Sequence, residues 1–169
     1  DRGGIKYKNA YFSTFPGTWH HGDFIRISER GSLKIYGRSD STLNPGGVRI
    51  GTSEIYRVVN SIDIIEDSLV IGQEWEGDQR IILFVLMIND LPLEKDIIDQ
   101  IKFQIKNGCS PRHIPSKIIK VKGIPYTING KKVEVAVKKV IEGKTVTNKE
   151  SLSNPETLSQ FRNIPELLN

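Results

Sequence analysis

Two kinds of apolar pattern alternate through the middle of the chain, and this alternation restricts the fold more than any other feature. Apolar residues that recur every three or four positions predict helices over residues 53–61, 93–106 and 132–141. Short runs rich in isoleucine, valine and leucine predict strands over residues 65–71, 81–88 and 116–121, with a polar turn over 73–79. One small three-stranded sheet with flanking helices, an α+β domain of about 100 residues, is the fold that follows.

A β-hairpin is predicted before this domain. Residues 24–27 and 33–36 alternate apolar and polar side chains, and residues 28–31 between them have the composition of a turn. We interpret residues 1–36 as a whole as strands and turns. A two-stranded hairpin is too small to be stable alone, so we expect it to lean on another part of the protein.

The segment over residues 37–51 combines two arginines, one aspartate and several glycines. Arg38 and Arg49 carry rigid forks of donors that suit phosphate oxygens, and glycines let the backbone approach a ligand closely. Ser53 and Glu54 then resemble a helix start, whose free N–H groups would point toward the same region. A plain polar loop between a strand and a helix has the same composition, and this segment alone favours the two interpretations equally.

A second candidate segment places Lys131 directly after Asn129 and Gly130. An Asn-Gly pair favours a tight turn, and a lysine beside it acts as a mobile point charge for phosphate or carboxylate. The alternative is a solvated pair of lysines, Lys131 and Lys132, at the start of a helix. Taken alone, the segment favours that alternative.

Asp23 follows Gly22 at the start of the predicted hairpin. An acidic side chain in such a place accepts hydrogen bonds from a sugar diol, as acidic residues do in dinucleotide sites. The alternative is a turn aspartate that binds the local backbone. His20 and His21 precede it, but nothing nearby completes a catalytic arrangement, so we interpret both histidines as structural.

The charge of the chain indicates an anionic partner. Its 24 lysines and arginines against 20 acidic residues give a net charge of +4, which suits nucleotides and coenzyme A as well as nucleic acid. The basic residues between 102 and 122 are scattered over a helix, a loop and a strand, and aromatic residues are not interleaved with them. That arrangement argues against binding of single-stranded nucleic acid.

Several other classes of protein are disfavoured by composition. The single cysteine, Cys109, cannot form an intrachain disulfide, which indicates a reducing compartment. The histidines at 20, 21 and 113 lack metal-ligand spacing, so no metal site is expected. The longest apolar run, residues 81–88, is too short to span a membrane. The chain does not begin with methionine and carries no signal-peptide pattern, so we interpret it as a piece of a longer protein.

Four blocks, in this order, resemble motifs of the adenylate-forming acyl-CoA synthetase superfamily. They are Gly-Asp at 22–23, Gly-Arg-Ser-Asp at 37–40, Gly-Val-Arg-Ile at 47–50 with Glu-Ile at 54–55, and Gly-Lys at 130–131. Longer stretches at 11–17, 124–138 and 153–167 resemble its acetoacetate-activating branch, so the resemblance covers nearly the whole chain. Three positions depart from the wider superfamily and favour that branch: His21, Ser41 and Asn129.

The resemblance implies an enzyme that converts a carboxylate and Mg-ATP to an acyl-adenylate and then transfers the acyl group to coenzyme A. It implies that Lys131 catalyses adenylation, that Asp23 binds the ribose hydroxyls, and that Arg38 and Arg49 contact the nucleotide. It also implies a hinge at Asp40 and contacts with coenzyme A at Gly47 and, more loosely, at Lys106.

The same resemblance implies a domain organisation. Residues 1–39 would be the end of an N-terminal domain, 40–143 a mobile lid, and 144–169 a tail with a short helix that starts at Asn154 and Pro155. The expected partners are the protein's own N-terminal domain, ATP or AMP with Mg²⁺, acetoacetate and coenzyme A, in the cytoplasm, without nucleic acid or membrane. Because the acyl pocket and the phosphate-gripping loop lie outside this chain, it should be inactive by itself.

Two alternatives stay open at this point. One is a synthetase for another short-chain acid, since the acyl pocket is not part of the chain. The other is a free-standing basic module that binds nucleic acid through the net positive charge. The scattered basic residues and the lack of a nucleic-acid motif oppose the second alternative.

Overall fold

The computed structural model describes residues 3–168. Asp1 and Arg2, where the predicted N-terminal segment begins, and Asn169, where the predicted tail ends, lie outside the described residues. The elements in chain order are α1 Ile5–Phe12, β1 Asp23–Ile27, β2 Leu33–Arg38, α2 Thr52–Val59, β3 Ile65–Trp75, β4 Asp78–Met87, α3 Lys95–Gly108, β5 Lys117–Val121 and α4 Glu134–Ile141. Short 3₁₀ segments connect them, and one over Pro155–Phe161 forms part of the tail. Within residues 3–168, no helix is long and apolar enough to cross a bilayer.

The central sheet has the strand order β3-β4-β5, with β3 antiparallel to β4 and β4 parallel to β5. This confirms the predicted α+β fold of three strands and three helices. The predicted turn over 73–79 is wrong in extent, because the strands pair as far as Trp75 and Asp78. The polar residues there pair across the strands instead of forming a loop: the Arg80 guanidinium lies 3.6 Å from the Trp75 ring centroid, and its Nε donates to Gln73 at 2.9 Å.

Both faces of the central sheet are covered. Helices α2 and α3 cover one face, where Val70 and Leu83 pack with Ile101 and Ile105. The other face carries α4 and the tail. The buried residues on that side include Leu69, Ile71, Ile82, Phe84, Val137, Leu158, Phe161 and Leu167. The tail therefore docks through its own apolar residues, and the Phe84 and Phe161 rings meet edge to face at 4.9 Å.

The predicted hairpin is present as β1 and β2, but its strands contain no buried residue. Ile25, Ile27, Leu33 and Ile35 are each more than half exposed. The hairpin meets the rest of the chain next to α2, at Gly51. A Cβ on Gly51 would lie 2.3 Å from the Tyr36 carbonyl oxygen, so only glycine permits this close approach.

The interpretation of residues 1–36 as strands and turns is wrong for α1. Residues Ile5–Phe12 are helical although none of them is buried. Tyr7 and Tyr11 stand one helical turn apart with ring centroids at 5.2 Å, and Tyr11 also meets Trp19 at 5.5 Å. Aromatic contacts one turn apart stabilise a helix locally, and they leave no apolar stripe in the sequence by which to predict it.

Candidate active-site cleft

Lys131 stands at the end of a tight three-residue turn. The Thr127 carbonyl accepts a hydrogen bond from Gly130 N at 2.8 Å, and Thr127 N donates to the Lys131 carbonyl at 2.8 Å. Gly130 has a φ of 70°, as the last residue of this type of hairpin loop requires. The Lys131 side chain is exposed, and no hydrogen bond or ion pair from residues 3–168 engages its ammonium group. The turn therefore presents one cation that is free to bind a ligand.

One partly buried carboxylate anchors both arms of this turn. Asp67 accepts from the Tyr126 hydroxyl through Oδ2 and from the Lys132 ammonium through Oδ1, each at 2.5 Å. Tyr126 and Lys132 pair across the turn, and the Lys132 ammonium also donates to the Ser68 carbonyl at 2.5 Å. The Lys132 and Asp67 side chains are only 17% and 18% exposed. The interpretation of Lys131 and Lys132 as a solvated pair is therefore wrong for Lys132. The predicted start of α4 at residue 132 is also wrong, because Lys132 pairs with Tyr126 and the helix begins at Glu134.

Tyr56 links Lys132, which binds the anchor Asp67, to α4 and to β3. The Tyr56 hydroxyl donates to Glu134 at 3.0 Å and accepts from Val70 N at 3.0 Å, while the Lys132 ammonium lies 4.4 Å from the Tyr56 ring centroid. Burial raises the pKa of Tyr56 well above its usual value. Burial is also the largest cause of the raised pKa of Glu134, and the negative charge of Asp40 adds to it. For Tyr126, burial and then the hydrogen bond to Asp67 raise the pKa, which keeps this hydroxyl a donor.

The Lys131 turn faces an open cleft of about 460 Å³. The end of the hairpin, the start of α4 and the tail supply its other walls. Its charged lining consists of Arg38, Asp40, Lys131, Lys132, Glu134 and Lys139. Four cations face two carboxylates, and Asp67 pairs with one of the four, so a small positive excess remains that suits an anionic ligand.

The hairpin places Asp23 beside Arg38, because these two residues are opposite one another in the register of β1 and β2. Arg38 donates from Nε and Nη2 to the two carboxylate oxygens of Asp40, each at 3.3 Å, and its Nη1 lies 4.0 Å from Asp23. These contacts raise the pKa of Arg38, first through the hydrogen bond to Asp40. His21 Nδ1 lies 2.5 Å from Asp23, which is consistent with a structural role for this histidine. Arg38, Asp40 and Lys131 thus share one cleft, whereas Asp23 meets Arg38 without being one of the residues that line it.

The other residues singled out in the sequence lie elsewhere. Arg49 stacks on the Phe24 ring, with its guanidinium carbon 4.4 Å from the centroid, and lines a separate cleft of about 260 Å³ with Tyr36 and Thr42. Gly47 is exposed in the loop between Leu43 and Ile50, and Lys106 is exposed in the last turn of α3. Neither is among the described residues that line the Lys131 cleft.

Helix α2, next to this loop, begins one residue earlier than predicted, with Gly51 as N-cap and Thr52 as the first helical residue.

No group of three or more histidine, cysteine or acidic side chains within the described part of the chain is arranged to hold a metal ion. Histidines do meet carboxylates in pairs. His113 Nε2 lies 3.6 Å from Glu54, whose main-chain carbonyl accepts from the Cys109 thiol. These pairs have too few ligands for a metal site of the usual kind.

Sequence reasoning missed the anchor of the Lys131 turn and one wall of the cleft. Asp67 is the anchor, and its charge within a strand of isoleucine, leucine and valine was an available signal. The missed wall belongs to the tail, where Val146, Thr147, Asn148 and Ser151 line the cleft. No local pattern in the tail indicates that contact, since it depends on how the tail folds back over the sheet.

Comparison with known proteins confirms the resemblance inferred from the motifs. No protein-family model matches the chain. Over 169 residues the chain is 51% identical to acetoacetyl-CoA synthetase from Mus musculus, covering 99% of the chain and 25% of the mouse protein. Over 167 residues it is 50% identical to acetoacetyl-coenzyme A synthetase from Rhizobium meliloti (strain 1021), covering 99% of the chain and 26% of that protein.

A solved structure shows the same relationship. Acetoacetyl-CoA synthetase from Streptomyces lividans superimposes with a TM-score of 0.86 at 39% sequence identity, over 98% of this chain and 25% of that one. The fold is that of the C-terminal domain of adenylate-forming enzymes. The chain spans about a quarter of the length of the relatives it matches.

Proposed function

Because this chain is similar over its whole length to the C-terminal quarter of acetoacetyl-CoA synthetases, we propose that it is the C-terminal domain of a longer AMP-forming ligase. The proposed enzyme activates acetoacetate with ATP and transfers the acyl group to coenzyme A. Mg²⁺ enters as the ion that accompanies ATP, and no residue of this chain is assigned to it. The proposed location is the cytoplasm, where these substrates are available and a lone cysteine stays reduced.

The proposed reaction has two steps. A carboxylate oxygen of acetoacetate attacks the α-phosphorus of ATP, the bond to the β-phosphate oxygen breaks, and pyrophosphate leaves. The sulfur of coenzyme A then attacks the acyl carbon of the adenylate, its proton is lost, and AMP leaves. In the first step two anions must approach one another, so a cation placed between them lowers the barrier.

The observation that carries the proposal is the exposed ammonium of Lys131 on a turn whose two arms are held by Asp67. The anchor fixes where the lysine stem begins, and the free side chain supplies the reach to a nucleotide. Fixing the start of the stem before the reaction reduces the entropy that must be lost to place the charged group at the transition state. We therefore assign Lys131 as the catalytic cation of adenylation.

Three nucleotide contacts complete the proposed adenylation site. Asp23 would accept hydrogen bonds from the ribose hydroxyls, since its carboxylate lies 4.0 Å from Arg38, which lines the cleft. Arg38 would contact the nucleotide, and its side chain is 54% exposed and available to do so. Arg49 would contact the phosphates in an orientation that frees it from Phe24, since stacking on that ring occupies one of its faces here.

Rotation of the domain between the two steps is part of the proposal. We assign the hinge to Asp40, which lies in an exposed turn closed by a hydrogen bond from Ser41 N to the Arg38 carbonyl at 3.3 Å. Only a few residues need to change φ and ψ for such a rotation. After rotation, Gly47 would lie along the pantetheine arm of coenzyme A and Lys106 would meet its phosphates, which fits their position away from the Lys131 cleft.

The exposed apolar side chains of the hairpin support a large partner, which we propose to be the N-terminal domain of the same protein. Ile25, Ile27, Leu33 and Ile35 are between 53% and 65% exposed, and such a contiguous apolar surface favours association. The acyl pocket would lie in that domain, so this chain by itself should release no pyrophosphate from ATP and acetoacetate.

The test is Lys131→Ala in the intact enzyme, with the two half-reactions measured separately. Pyrophosphate release that depends on acetoacetate should fall about 100-fold to 1,000-fold, the usual loss for a charge-stabilising group. Formation of acetoacetyl-CoA from pre-made adenylate should be spared. Lys122→Ala, which removes an exposed lysine outside the cleft, should leave both steps unchanged.

Equal losses in both half-reactions would contradict the role of Lys131. The acyl substrate is tested independently, by measuring pyrophosphate release from the unmodified enzyme with a series of short carboxylic acids. Preference for an acid other than acetoacetate would redirect the proposal to a sister synthetase without affecting the role of Lys131.

A further inference from the structure

A segment of the tail, residues 151–154, runs alongside the strand-like segment that leads into the Lys131 turn. Ile128 N donates to the Ser151 carbonyl at 2.9 Å, and Ser153 N donates to the Tyr126 carbonyl at 2.9 Å. Between these two bonds, Thr127 and Leu152 form a bridge. The tail thus acts as an added strand on the outer arm of the turn.

Asn154 closes this pairing with both ends of its side-chain amide. Its Oδ1 accepts from Tyr126 N at 2.9 Å, and its Nδ2 donates to the Ile124 carbonyl at 2.9 Å. The side chain is partly buried, so water replaces these bonds poorly when they are lost. Asn154 therefore fixes the backbone of Tyr126, the residue whose hydroxyl binds Asp67.

The tail is itself held firmly enough to serve as a support. Leu152 lies in the same buried cluster as Val137 of α4 and Phe161. Beyond the cleft, the Leu167 carbonyl accepts from the Arg80 guanidinium at 2.8 Å, which holds the end of the tail on the sheet. A displacement of residues 151–154 would consequently require repacking of the core.

We propose that Asn154 is a positioning residue for Lys131, acting through Tyr126 and the turn. This inference rests on the proposed function of Lys131 in adenylation. Asp67 holds the side chains at the two ends of the turn, and Asn154 holds the main chain of the incoming arm. The main-chain bonds of Ile128 N and Ser153 N hold the arm beside the turn. Asn154 adds the bonds that hold Ile124 and Tyr126, and so sets the angle at which the arm enters the turn.

Gln160 offers a matched control within the same tail. Its Oε1 accepts from Lys122 N at 2.8 Å and its Nε2 donates to the Gly123 carbonyl at 2.9 Å. It is therefore the same kind of amide bridge from the tail to the main chain. Its partners, Lys122 and Gly123, are farther in sequence from Lys131 than Ile124 and Tyr126 are. Removing it should reduce stability in a similar way without moving the turn.

The experiment compares Asn154→Ala with Gln160→Ala in the intact enzyme. Asn154→Ala should lower the maximal rate of acetoacetyl-adenylate formation by about tenfold, since small misplacements of catalytic groups carry losses of this order. Its rate of acetoacetyl-CoA formation from pre-made adenylate should stay within about twofold of the unmodified enzyme, because Lys131 is used only in the first step. Gln160→Ala should change neither rate by more than about twofold. Asn154→Asp, which keeps an acceptor for Tyr126 N, should recover part of the loss.

Hydrogen exchange at the Tyr126 and Ile128 amides gives a readout independent of activity. Both should exchange faster in Asn154→Ala than in Gln160→Ala. Faster exchange with unchanged adenylation would overturn the positioning role, as would equal losses in both variants or in both half-reactions. An unmodified enzyme that forms no acyl-adenylate from any acid would instead refute the proposed function, and the positioning role of Asn154 would fall with it.

Discussion

The two sheets of this protein differ both in sequence pattern and in environment: the hairpin strands alternate apolar and polar residues, whereas the central strands are runs rich in isoleucine, valine and leucine. The hairpin of β1 and β2 pairs its strands antiparallel, as β3 and β4 do, yet it buries no residue, whereas Leu69, Val70, Leu83 and Phe84 of the central sheet are fully buried. Alternation of apolar residues is thus enough to predict a strand but not to predict its burial. Hydrogen bonds between two strands give little stability until another layer covers them.

The largest expected effect is on the free energy of unfolding, when an apolar side chain is removed from the central sheet's core rather than from the exposed hairpin. Phe161→Ala removes a fully buried ring that packs on Phe84, and we expect it to lower the free energy of unfolding of the chain by about 3–5 kcal/mol. Ile35→Ala in the hairpin should cost less than about 0.5 kcal/mol, because its side chain is 65% exposed. Urea unfolding of both variants measures the difference. Similar costs at the two positions would show that the hairpin is supported by contacts beyond those seen here.

The next largest expected effect is the loss of stability when one ion pair is broken in each region. Asp67→Ala should cost about 2–3 kcal/mol of unfolding free energy, because it leaves the Lys132 ammonium largely buried without its partner. Asp23→Ala in the hairpin should cost less than about 1 kcal/mol, since its partner Arg38 is mostly exposed. Asp67→Asn, which keeps an acceptor for Tyr126, serves as the intermediate variant. An Asp67→Ala protein as stable as the unmodified chain would refute the anchoring role of this carboxylate.

The smallest effect concerns the pH dependence of stability. Burial raises the pKa of Glu134 above its usual value of 4.5, so the folded chain binds this proton more tightly than the unfolded chain does. Stability from this group is therefore present at low pH and is lost as pH rises from 4.5 through the raised pKa. Glu134→Gln keeps an acceptor for Tyr56 and removes the charge.

The Glu134→Gln chain should gain stability relative to the unmodified chain between pH 4 and pH 7, as measured by thermal unfolding at the two pH values. Glu29→Gln, in the exposed turn of the hairpin, is the matched control and should show a smaller change. A Glu134→Gln variant that loses stability relative to the unmodified chain as pH rises would reverse the sign of the argument.

The parts of the fold that were predicted correctly are those where burial follows local spacing. Ile101 and Ile105 of α3 are both fully buried, one helical turn apart, and their pattern is visible in the sequence. Helix α1 was missed because it buries nothing and therefore shows no apolar stripe. The turn between β3 and β4 was predicted to be longer than it is, because polar residues such as Gln73 are typical of loops. In the structure Gln73 instead contacts Arg80 across the two strands.

The candidate site was predictable only in part for a similar reason. The position of Lys131 follows from a turn and a motif that are contiguous in sequence. Its anchor does not, because Asp67 lies 65 residues from Lys132 and the two meet only when β3 docks beside the turn. The tail contact at Asn154 is likewise a product of tertiary packing, and no property of residues 151–154 by themselves reveals it.

The contrast between Lys131 and Lys132 also gives the two neighbours different chemical reactivity. The Lys132 amine is engaged by Asp67, the Ser68 carbonyl and the Tyr56 ring, and its side chain is only 17% exposed, so an incoming electrophile has little access to its nitrogen. The Lys131 amine is open to solvent on its turn. An amine-reactive reagent, or an enzyme that acylates lysines, would therefore select the first residue of this dipeptide over the second.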